Sequence, residues 1–372
     1  MAVSCARQVE GLRRRGHVVD VCVFSLGKKE DFVLPPNSIV EGGENWFFRL
    51  SGNHGYVAQT AWRQVKTEFE DRRWNWITGF GANFPGFTAT VFADWLGVKS
   101  LVLVRGNDFD RDLFDPRYGY WVNESLSRAH AIGTVSNEAS EKIIRLFHRK
   151  NVRWVPNGVD FENLRLLMRD KEIGTKVRGE LSGGNGSKRP VIGLFGDLKD
   201  KKGIPLWHEA LRESGLTELI GFLVVGLMDE ETSQIIRDPG LTPHAHIVNF
   251  CSREDLPGYY SACDFVALPS IFEGMPNVLL EAMALGKIPI VSNAGAMGEI
   301  VTEGKNGFVF PAGDWAASAG AVTRALNLSA SERTIFGRKA AADVRRRFPP
   351  GKELTALERI FREKQPSPRM ER

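Results

Sequence analysis

The stretch Pro269–Gly286 reads PSIFEGMPNVLLEAMALG and holds the densest pattern in the chain. An apolar strand is predicted to end at Leu268, a loop follows, and Pro276 is placed to open a helix that Gly286 closes. Amides at a helix start have no partner within the helix, and the helix dipole is positive there. After a strand of a parallel sheet, such amides lie at the carboxyl edge of the sheet. The stretch therefore predicts an anion-binding site in an α/β protein.

Two carboxylates flank this predicted helix start. Glu273 precedes the helix and Glu281 lies about a turn and a half inside it, so that a bound diphosphate would have one on each side. Carboxylates accept hydrogen bonds from the hydroxyl groups of sugars and ribose. The alternative interpretation is structural: Glu273 caps the helix and Glu281 is a solvated surface residue.

The rest of the chain alternates apolar strands with helical stretches. The predicted strands are Val18–Phe24, Trp76–Thr78, Ser100–Val104, Ala131–Val135, Val152–Val155, Pro190–Phe195, Ile220–Val225, His246–Phe250, Asp264–Leu268, Ile288–Val291 and Gly307–Val309. This alternation is typical of parallel sheets wrapped by helices. We therefore expect an α/β protein with two doubly wound, Rossmann-like domains.

The length of 372 residues exceeds what one hydrophobic core usually serves. Residues 161–188 become charged and then polar and glycine-rich, which is typical of a linker. We place an N-terminal domain at 1–160, the linker at 161–188, a second domain at 189–345, and a C-terminal helix and tail at 346–372. The last helix is amphipathic and is expected to cross back to the first domain.

Composition excludes several classes of protein. The longest apolar run, Leu219–Met228, is about half of a membrane span of about 20 residues. Four cysteines without metal-ligand or redox spacing predict reduced thiols in a cytoplasmic protein. The net charge of +4 fits anionic small molecules or an acidic membrane surface, and no nucleic-acid-binding motif accompanies it. Nucleic acid is not expected as a partner, and the absence of a nucleophile elbow or phosphate loop argues against hydrolases and kinases.

The stretch Glu273–Glu281, with seven residues between its glutamates, resembles the hallmark of family 4 retaining glycosyltransferases of the GT-B fold. The resemblance covers most of the chain in order, through Pro156–Asp160, Gly196–Gly203, Tyr259–Ser270 and Gly295–Val301. It implies two Rossmann-like domains facing a cleft, with a nucleotide-sugar donor bound mainly by the second domain and an acceptor bound mainly by the first.

The resemblance also implies roles for single residues. Glu273 would face the donor sugar, Glu281 would bind the nucleotide ribose, and Lys202 would neutralise the departing diphosphate. The other donor-binding candidates are Gly196, Lys199, Gly274, Met275, Pro276, Asn277 and Val278. Glu299 is expected to hold its loop rather than to take part in the chemistry.

Asp197 departs from the family pattern, because an arginine that shares the diphosphate usually stands there. A carboxylate at this position repels phosphate unless it turns away. Lys199 or Lys201, which lie in the same loop, is expected to substitute for the arginine. The alternative is that the lysines of this loop belong to a solvated turn.

Arg105 is a second departure, since many family members have a histidine facing the donor sugar there. Arginine keeps a hydrogen-bond donor but does not titrate near neutral pH. We keep Arg105 as a catalytic candidate and Asn107 and Asp108 as acceptor-side candidates. Their alternative interpretation is a charged turn after a strand.

The chain begins with what resembles the first helix of the family, so the first strand and its glycine-rich loop are expected to be missing. In a doubly wound sheet that strand is central, and its loss would leave two neighbouring strands unpaired. A start codon assigned too late, with Met1 an internal methionine, is the expected explanation.

The implied activity is hexosyl transfer with retention from a nucleotide-diphosphate sugar to a hydroxyl acceptor. The donor phosphate would help to take the acceptor proton; no side-chain nucleophile is evident, and neither a cofactor nor a metal ion is expected. The base, the sugar and the acceptor stay open, the last among a polysaccharide, a lipid-linked glycan and a small molecule. The alternatives are an inactive GT-B binding or scaffold protein and a nucleotide-sugar epimerase on the same fold.

Aromatic residues in the first half of the chain allow three interpretations. The run Trp46–Leu50 and the rings of Phe80, Phe84 and Phe87 fit an acceptor groove, a peripheral contact with the inner face of the membrane, or simply the core.

Overall fold

A computed structural model describes residues 2–25, 43–50, 52–161, 164–182 and 189–363. The chain divides into an N-terminal unit, Met1–Asn157 with Gly351–Arg372, and a C-terminal unit, Gly158–Pro350. In both units the strands that the structure describes are parallel and alternate along the chain with helices. The predicted α/β class with two Rossmann-like domains is confirmed.

The N-terminal unit contains two parallel sheets in its described part. Its strands are β1 (Val21–Ser25), β2 (Asn45–Arg49), β3 (Trp76–Phe80), β4 (Lys99–Val104), β5 (Ala131–Thr134) and β6 (Val152–Trp154). β1 pairs with β2, and the other four follow the order β3-β4-β5-β6. The run that includes Trp46 was not predicted as a strand. In β2 its rings pack, with Trp46 6.2 Å from Trp74 and Phe48 5.8 Å from Phe24 between centroids, which favours the core interpretation.

Helices cover the sheets of the N-terminal unit. They are α1 (Ala2–Arg14), α2 (His54–Arg72), α3 (Phe84–Leu96), α4 (Asn107–Asp110), α5 (Gly119–Arg128) and α6 (Asn137–Phe147). Local chemistry sets their ends. The Ser136 hydroxyl accepts from the amide of Ala139 at the start of α6, and Gly97 ends α3 with φ +66°.

In its described part, the C-terminal unit has one six-stranded parallel sheet in the order β12-β11-β10-β7-β8-β9. The strands are β7 (Val191–Phe195), β8 (Gly221–Val225), β9 (Ala245–Val248), β10 (Phe265–Leu268), β11 (Ile288–Ser292) and β12 (Phe308–Phe310). Its helices are α7 (Met168–Leu181), α8 (Ile204–Glu213), α9 (Glu230–Arg237), α10 (Leu256–Ala262), α11 (Asn277–Ala284), α12 (Met297–Ile300), α13 (Trp315–Leu326) and α14 (Ala330–Arg347). β7 and β10 are neighbours at the centre, so their carboxyl ends lie side by side.

The interpretation of residues 161–188 as a linker is wrong over Met168–Leu181, because these residues form the packed helix α7. This helix packs on α10, where a Cβ on Gly174 would lie 2.0 Å from Ser261 Oγ, and the Ser261 hydroxyl donates to the carbonyl of Asp170 at 2.9 Å. The glycine-rich residues 183–188 lie outside the described residues. The boundary at 345 also falls inside α14, whose last turn contains Arg345, Arg346 and Arg347.

The last described helix, α15 (Lys352–Arg362), belongs to the N-terminal unit. Its Leu357 and Ile360 are buried in one cluster with Leu12 and Leu101. The predicted return of the C-terminal helix to the first domain is confirmed. Within the ranges that the structure covers, no helix combines the length and the apolar character that crossing a bilayer requires.

Candidate functional site

The candidate site is built by the loops that follow the neighbouring strands β7 and β10. In register, Phe265 lies beside Ile192, so the chain leaves the sheet at adjacent points. The first loop contains a 3₁₀ turn, Asp200–Lys202, and the amide of Ile271 in the second loop donates to the carbonyl of Lys201 at 2.8 Å. The main chain therefore fixes the two loops against each other.

A buried carboxylate and two lysines meet where these loops touch. Lys202 Nζ lies 2.6 Å from Glu273 Oε2, and Lys201 Nζ lies 3.7 Å from Oε1 of the same carboxyl group. The side chains of Glu273 and Lys202 are 12% and 13% exposed. Burial by itself raises the pKa of Glu273, but the charges of Lys202 and Lys201 outweigh it, so the pKa lies below its ordinary value. Glu273 is therefore an ionised acceptor at neutral pH.

Lys199 pairs with Asp197 rather than with Glu273 among the described contacts. Lys199 Nζ lies 2.6 Å from Asp197 Oδ2, and both side chains are more than half exposed. The carboxylate that departs from the family pattern is thus paired within its own loop. Of the two lysines expected to substitute for the arginine, the structure brings only Lys201 to Glu273 among the described contacts.

The helix start lies beside this cluster. α11 begins at Asn277, and Pro276 precedes it as the N-cap with φ −72° and ψ 125°. The prediction that Pro276 opens the helix as its first residue is therefore wrong by one position, because its backbone is extended rather than helical. A Cβ on Gly196 would lie 3.9 Å from Val278 Cγ2, so the end of β7 faces the first turn of α11. Gly274, Met275 and Pro276, which precede this turn, are buried.

Glu281 lies on the second turn of α11 and is 7% exposed, so the interpretation as a solvated surface residue is wrong. The Tyr260 hydroxyl donates to Glu281 Oε2, and Arg253 Nη2 donates to Oε1, both at 3.4 Å. The Tyr260 ring is fully buried and stacks on Phe195 at 4.2 Å between centroids. Burial and the charge of Glu281 raise the pKa of Tyr260, so the phenol stays a donor.

Arg253 and Tyr260 were not predicted as site residues. Tyr260 falls in a stretch that matches the family, Tyr259–Ser270, so a signal for it existed. Arg253 lies 28 positions from Glu281 in a polar segment, and nothing in its neighbourhood points to the contact.

A third loop, between β11 and α12, packs against the loop that contains Glu273 and Gly274. The amide of Ala296 donates to the carbonyl of Gly274 at 2.8 Å. A Cβ on Gly295, whose φ is +55°, would lie 1.9 Å from the carbonyl oxygen of Glu273. Arg347 donates to the main-chain carbonyl of Glu299 at 2.6 Å, which connects α12, the helix that follows this loop, to α14.

The candidates of the N-terminal unit cluster at the end of β4. The Arg105 guanidinium lies 4.8 Å over the ring of Phe80 and donates to Asn157 Oδ1. Burial lowers the pKa of Arg105 to about 10, which leaves it cationic at neutral pH. Asn107 begins α4 and is half-buried.

Asp108 is 3% exposed and accepts hydrogen bonds from the amides of Arg105 at 2.9 Å and Ala82 at 2.8 Å. Burial outweighs these hydrogen bonds and raises its pKa to about 6. The side chain of Asp108 thus holds the turn after β4, an arrangement that matches the structural interpretation of this residue.

Known proteins resemble the chain in sequence and fold. The family model for Glycosyl transferases group 1 matches residues 182–343, and the model for Glycosyltransferase Family 4 matches residues 1–163. A glycogen synthase of Desulforudis audaxviator is 32% identical over 161 residues, which are 40% of this chain and 31% of that protein. The chain spans less than half the length of the first relatives that it matches.

Solved structures share the fold over nearly the whole chain. A sucrose-phosphate synthase from Thermosynechococcus elongatus has a TM-score of 0.77 at 18% identity, covering 96% of this chain and 91% of that one. The Anabaena protein HepE in complex with UDP-glucose has a TM-score of 0.74 at 19% identity, with coverage of 96% and 94%. The two family models together match most of the chain, and the fold agrees: the protein belongs to glycosyltransferase family 4 and has the GT-B fold.

Proposed function

We propose that the protein transfers a sugar from a nucleoside-diphosphate sugar to a hydroxyl acceptor with retention of configuration. One observation carries the proposal: the ionised Glu273, paired with Lys201 and Lys202, lies beside the start of α11. The second turn of the same helix carries Glu281. HepE, which shares the fold, was solved with UDP-glucose. Family membership and this arrangement favour an enzyme over a scaffold.

Each group has a part in the proposed reaction. Glu281 accepts hydrogen bonds from the ribose hydroxyls, and the first amides of α11 with Lys202 stabilise the diphosphate as its charge grows. Glu273 faces the donor sugar and stabilises its positive charge in the transition state. The bond from the sugar C1 to the phosphate oxygen breaks, a bond from C1 to the acceptor oxygen forms on the same face, and the acceptor proton passes to the departing diphosphate.

No cofactor or metal ion enters this proposal. Transfer is expected to continue in the presence of EDTA, and loss of activity that Mg²⁺ or Mn²⁺ restores would contradict it.

The four cysteines are free thiols, which suits a reducing cytoplasm. The acceptor is a hydroxyl of a glycan, a lipid-linked glycan or a small molecule. Sedimentation with anionic vesicles tests the proposed peripheral contact with the inner face of the membrane.

The deciding experiment is a titration of the folded chain with UDP, GDP and ADP by thermal shift, beside Glu281→Ala. At about 100 times its dissociation constant, the correct nucleotide stabilises the folded state by about 2.7 kcal/mol. The stabilisation should be lost in the variant. Absence of binding by a cooperatively folded chain would overturn the proposal and favour the scaffold alternative. The anomeric configuration of the product, read by NMR, tests retention.

A further inference from the structure

A buried ion pair joins the helices α1 and α15 of the N-terminal unit. Arg7 Nε of α1 lies 2.7 Å from Glu353 Oε1 in the first turn of α15. The Glu353 side chain is 1% exposed, and within the described residues Arg7 Nη2 and Glu353 Oε2 are buried without a hydrogen bond. A buried ion pair of this kind contributes little net stability, because desolvation offsets its Coulomb attraction. Stability alone therefore does not account for the pair.

The turn that carries Glu353 lies close to Arg105, which follows β4. The Arg105 guanidinium lies 4.8 Å over the ring of Phe80. Phe80 packs against the buried cluster that contains Leu354, the residue after Glu353. Leu354 is also fixed on α1, since a Cβ on Gly11 would lie 2.4 Å from Leu354 Cδ1. The first turn of α15 is thus held in the cluster that supports the ring beneath Arg105.

Charges of both signs surround the Arg105 guanidinium. Burial lowers the pKa of Arg105 to about 10. Among the neighbouring groups, the cation of Arg7 lowers this pKa further, whereas three groups raise it: Asp108, Glu353 and Cys5. Burial raises the pKa of the Cys5 thiol, so that two cations face two carboxylates at neutral pH. Without Glu353, the charge of Arg7 would repel that of Arg105 unopposed.

We propose that Glu353 is a positioning residue: paired with Arg7, it removes the repulsion between that cation and Arg105. The guanidinium of Arg105 then stays over Phe80, cationic and available to the substrate. The inference rests on the proposed function, because turnover is one of its readouts. It gives α15 a part in the reaction in addition to its part in the core of the N-terminal unit.

The first test compares two glutamates of α15. Arg105→Gln is expected to lower turnover at least tenfold, which places the guanidinium in the reaction. Glu353→Gln is expected to lower turnover at least fivefold and to leave nucleotide affinity within twofold. Glu358→Gln is the matched control, because Glu358 joins the same two helices through Arg15 at 3.0 Å, nearer the surface. Its turnover is expected to stay within twofold of the wild type.

A double variant separates positioning from anchoring of the helix. Arg7→Gln combined with Glu353→Gln removes the unbalanced cation, so it is expected to restore most of the turnover that Glu353→Gln loses. The ion pair between the helices stays absent in this variant, so a pair that served only as an anchor would give no recovery.

The pH profile of turnover is a second readout. The charge of Glu353 raises the pKa of Arg105, so its removal lowers that pKa. The alkaline limb of the profile should therefore move to lower pH in Glu353→Gln and return in the double variant.

Wild-type turnover in Arg105→Gln or in Glu353→Gln would overturn the inference and leave the proposed function intact. Equal losses in Glu353→Gln and Glu358→Gln, no recovery in the double variant, or an unmoved alkaline limb would do the same. Urea denaturation checks the folding of each variant. If Glu353→Gln does not fold, a folded double variant with turnover as low as that of Arg105→Gln would overturn the inference. A folded wild-type chain that binds no nucleoside diphosphate would overturn the proposed function as well.

Discussion

Gly295 lies against the main chain of Glu273 so closely that a β-carbon on Gly295 would stand 1.9 Å from the Glu273 carbonyl oxygen. The φ of Gly295 is +55°, a value that other residues rarely adopt. The position of the site glutamate therefore depends on a residue that has no side chain and follows a different strand.

Replacing Gly295 by alanine tests this dependence, with Gly304→Ala as the matched control. Gly304 has φ +69°, and a Cβ there would meet no atom within 4 Å, so its substitution carries only the backbone penalty of about 1–2 kcal/mol. Gly295→Ala adds the collision and should cost about 1–3 kcal/mol more in unfolding free energy. Urea denaturation measures both. Equal losses would show that the contact with Glu273 contributes nothing.

Glu281→Ala is expected to weaken nucleotide binding by about 1–3 kcal/mol, because ribose hydroxyls lose a buried acceptor. The ligand provides the control. A 2′,3′-dideoxynucleotide lacks those hydroxyls, so the wild type and the variant should bind it equally in a calorimetric titration. Unchanged affinity of the variant for the ordinary nucleotide would show that Glu281 does not hold the ribose. Tyr260→Phe, which removes one hydrogen bond to Glu281, should show a smaller loss of the same kind.

Glu273→Gln is expected to reduce turnover by at least about tenfold, which corresponds to about 1.4 kcal/mol of transition-state stabilisation. Nucleotide affinity should stay the same or rise, since Lys201 and Lys202 lose a competing carboxylate. Initial rates of sugar transfer and direct nucleotide titration separate the two effects. A variant with wild-type turnover would remove Glu273 from the reaction.

Asp108 gives a prediction about pH. Burial raises its pKa from 3.8 to about 6, so the folded state binds the proton more tightly than the unfolded state does. Protonation of Asp108 therefore stabilises the folded state. This contribution to the free energy of unfolding is complete below about pH 3.8 and is lost as the pH rises to about 6. Over that window the wild type should lose about 3 kcal/mol of stability relative to Asp108→Asn. Parallel stability curves for the two proteins would contradict the raised pKa.

The strands β4, β5, β7, β8, β10 and β11 were predicted well because they are buried and form continuous apolar runs, whereas the half-buried β2 was missed. α7 was missed because its buried positions, Asp170, Gly174, Val177 and Leu181, have helical spacing but include an aspartate and a glycine. Gly174 is small because Ser261 approaches it closely. That requirement comes from tertiary packing and leaves no hydrophobic period in the sequence.

Several residues of the site were predicted from the sequence, but some of their pairings were not. Glu273, Glu281 and Lys202 lie in motifs whose order along the chain already placed them at one edge of the sheet. The pairing of Lys199 with Asp197, and of Lys201 with Glu273, depends on the path of a short turn. Side chains two residues apart in such a turn diverge, and composition alone does not tell which lysine faces the glutamate.

The return of α15 to the N-terminal unit has a consequence for synthesis on the ribosome. Leu357 and Ile360 complete a core with Leu12 and Leu101, residues that emerge some 250 to 350 positions earlier. The C-terminal unit is continuous from Gly158 to Pro350, so it can finish folding while the N-terminal unit still lacks its last helix. The half of the protein that is translated first is thus the half that matures last, and until then its open core depends on protection from aggregation.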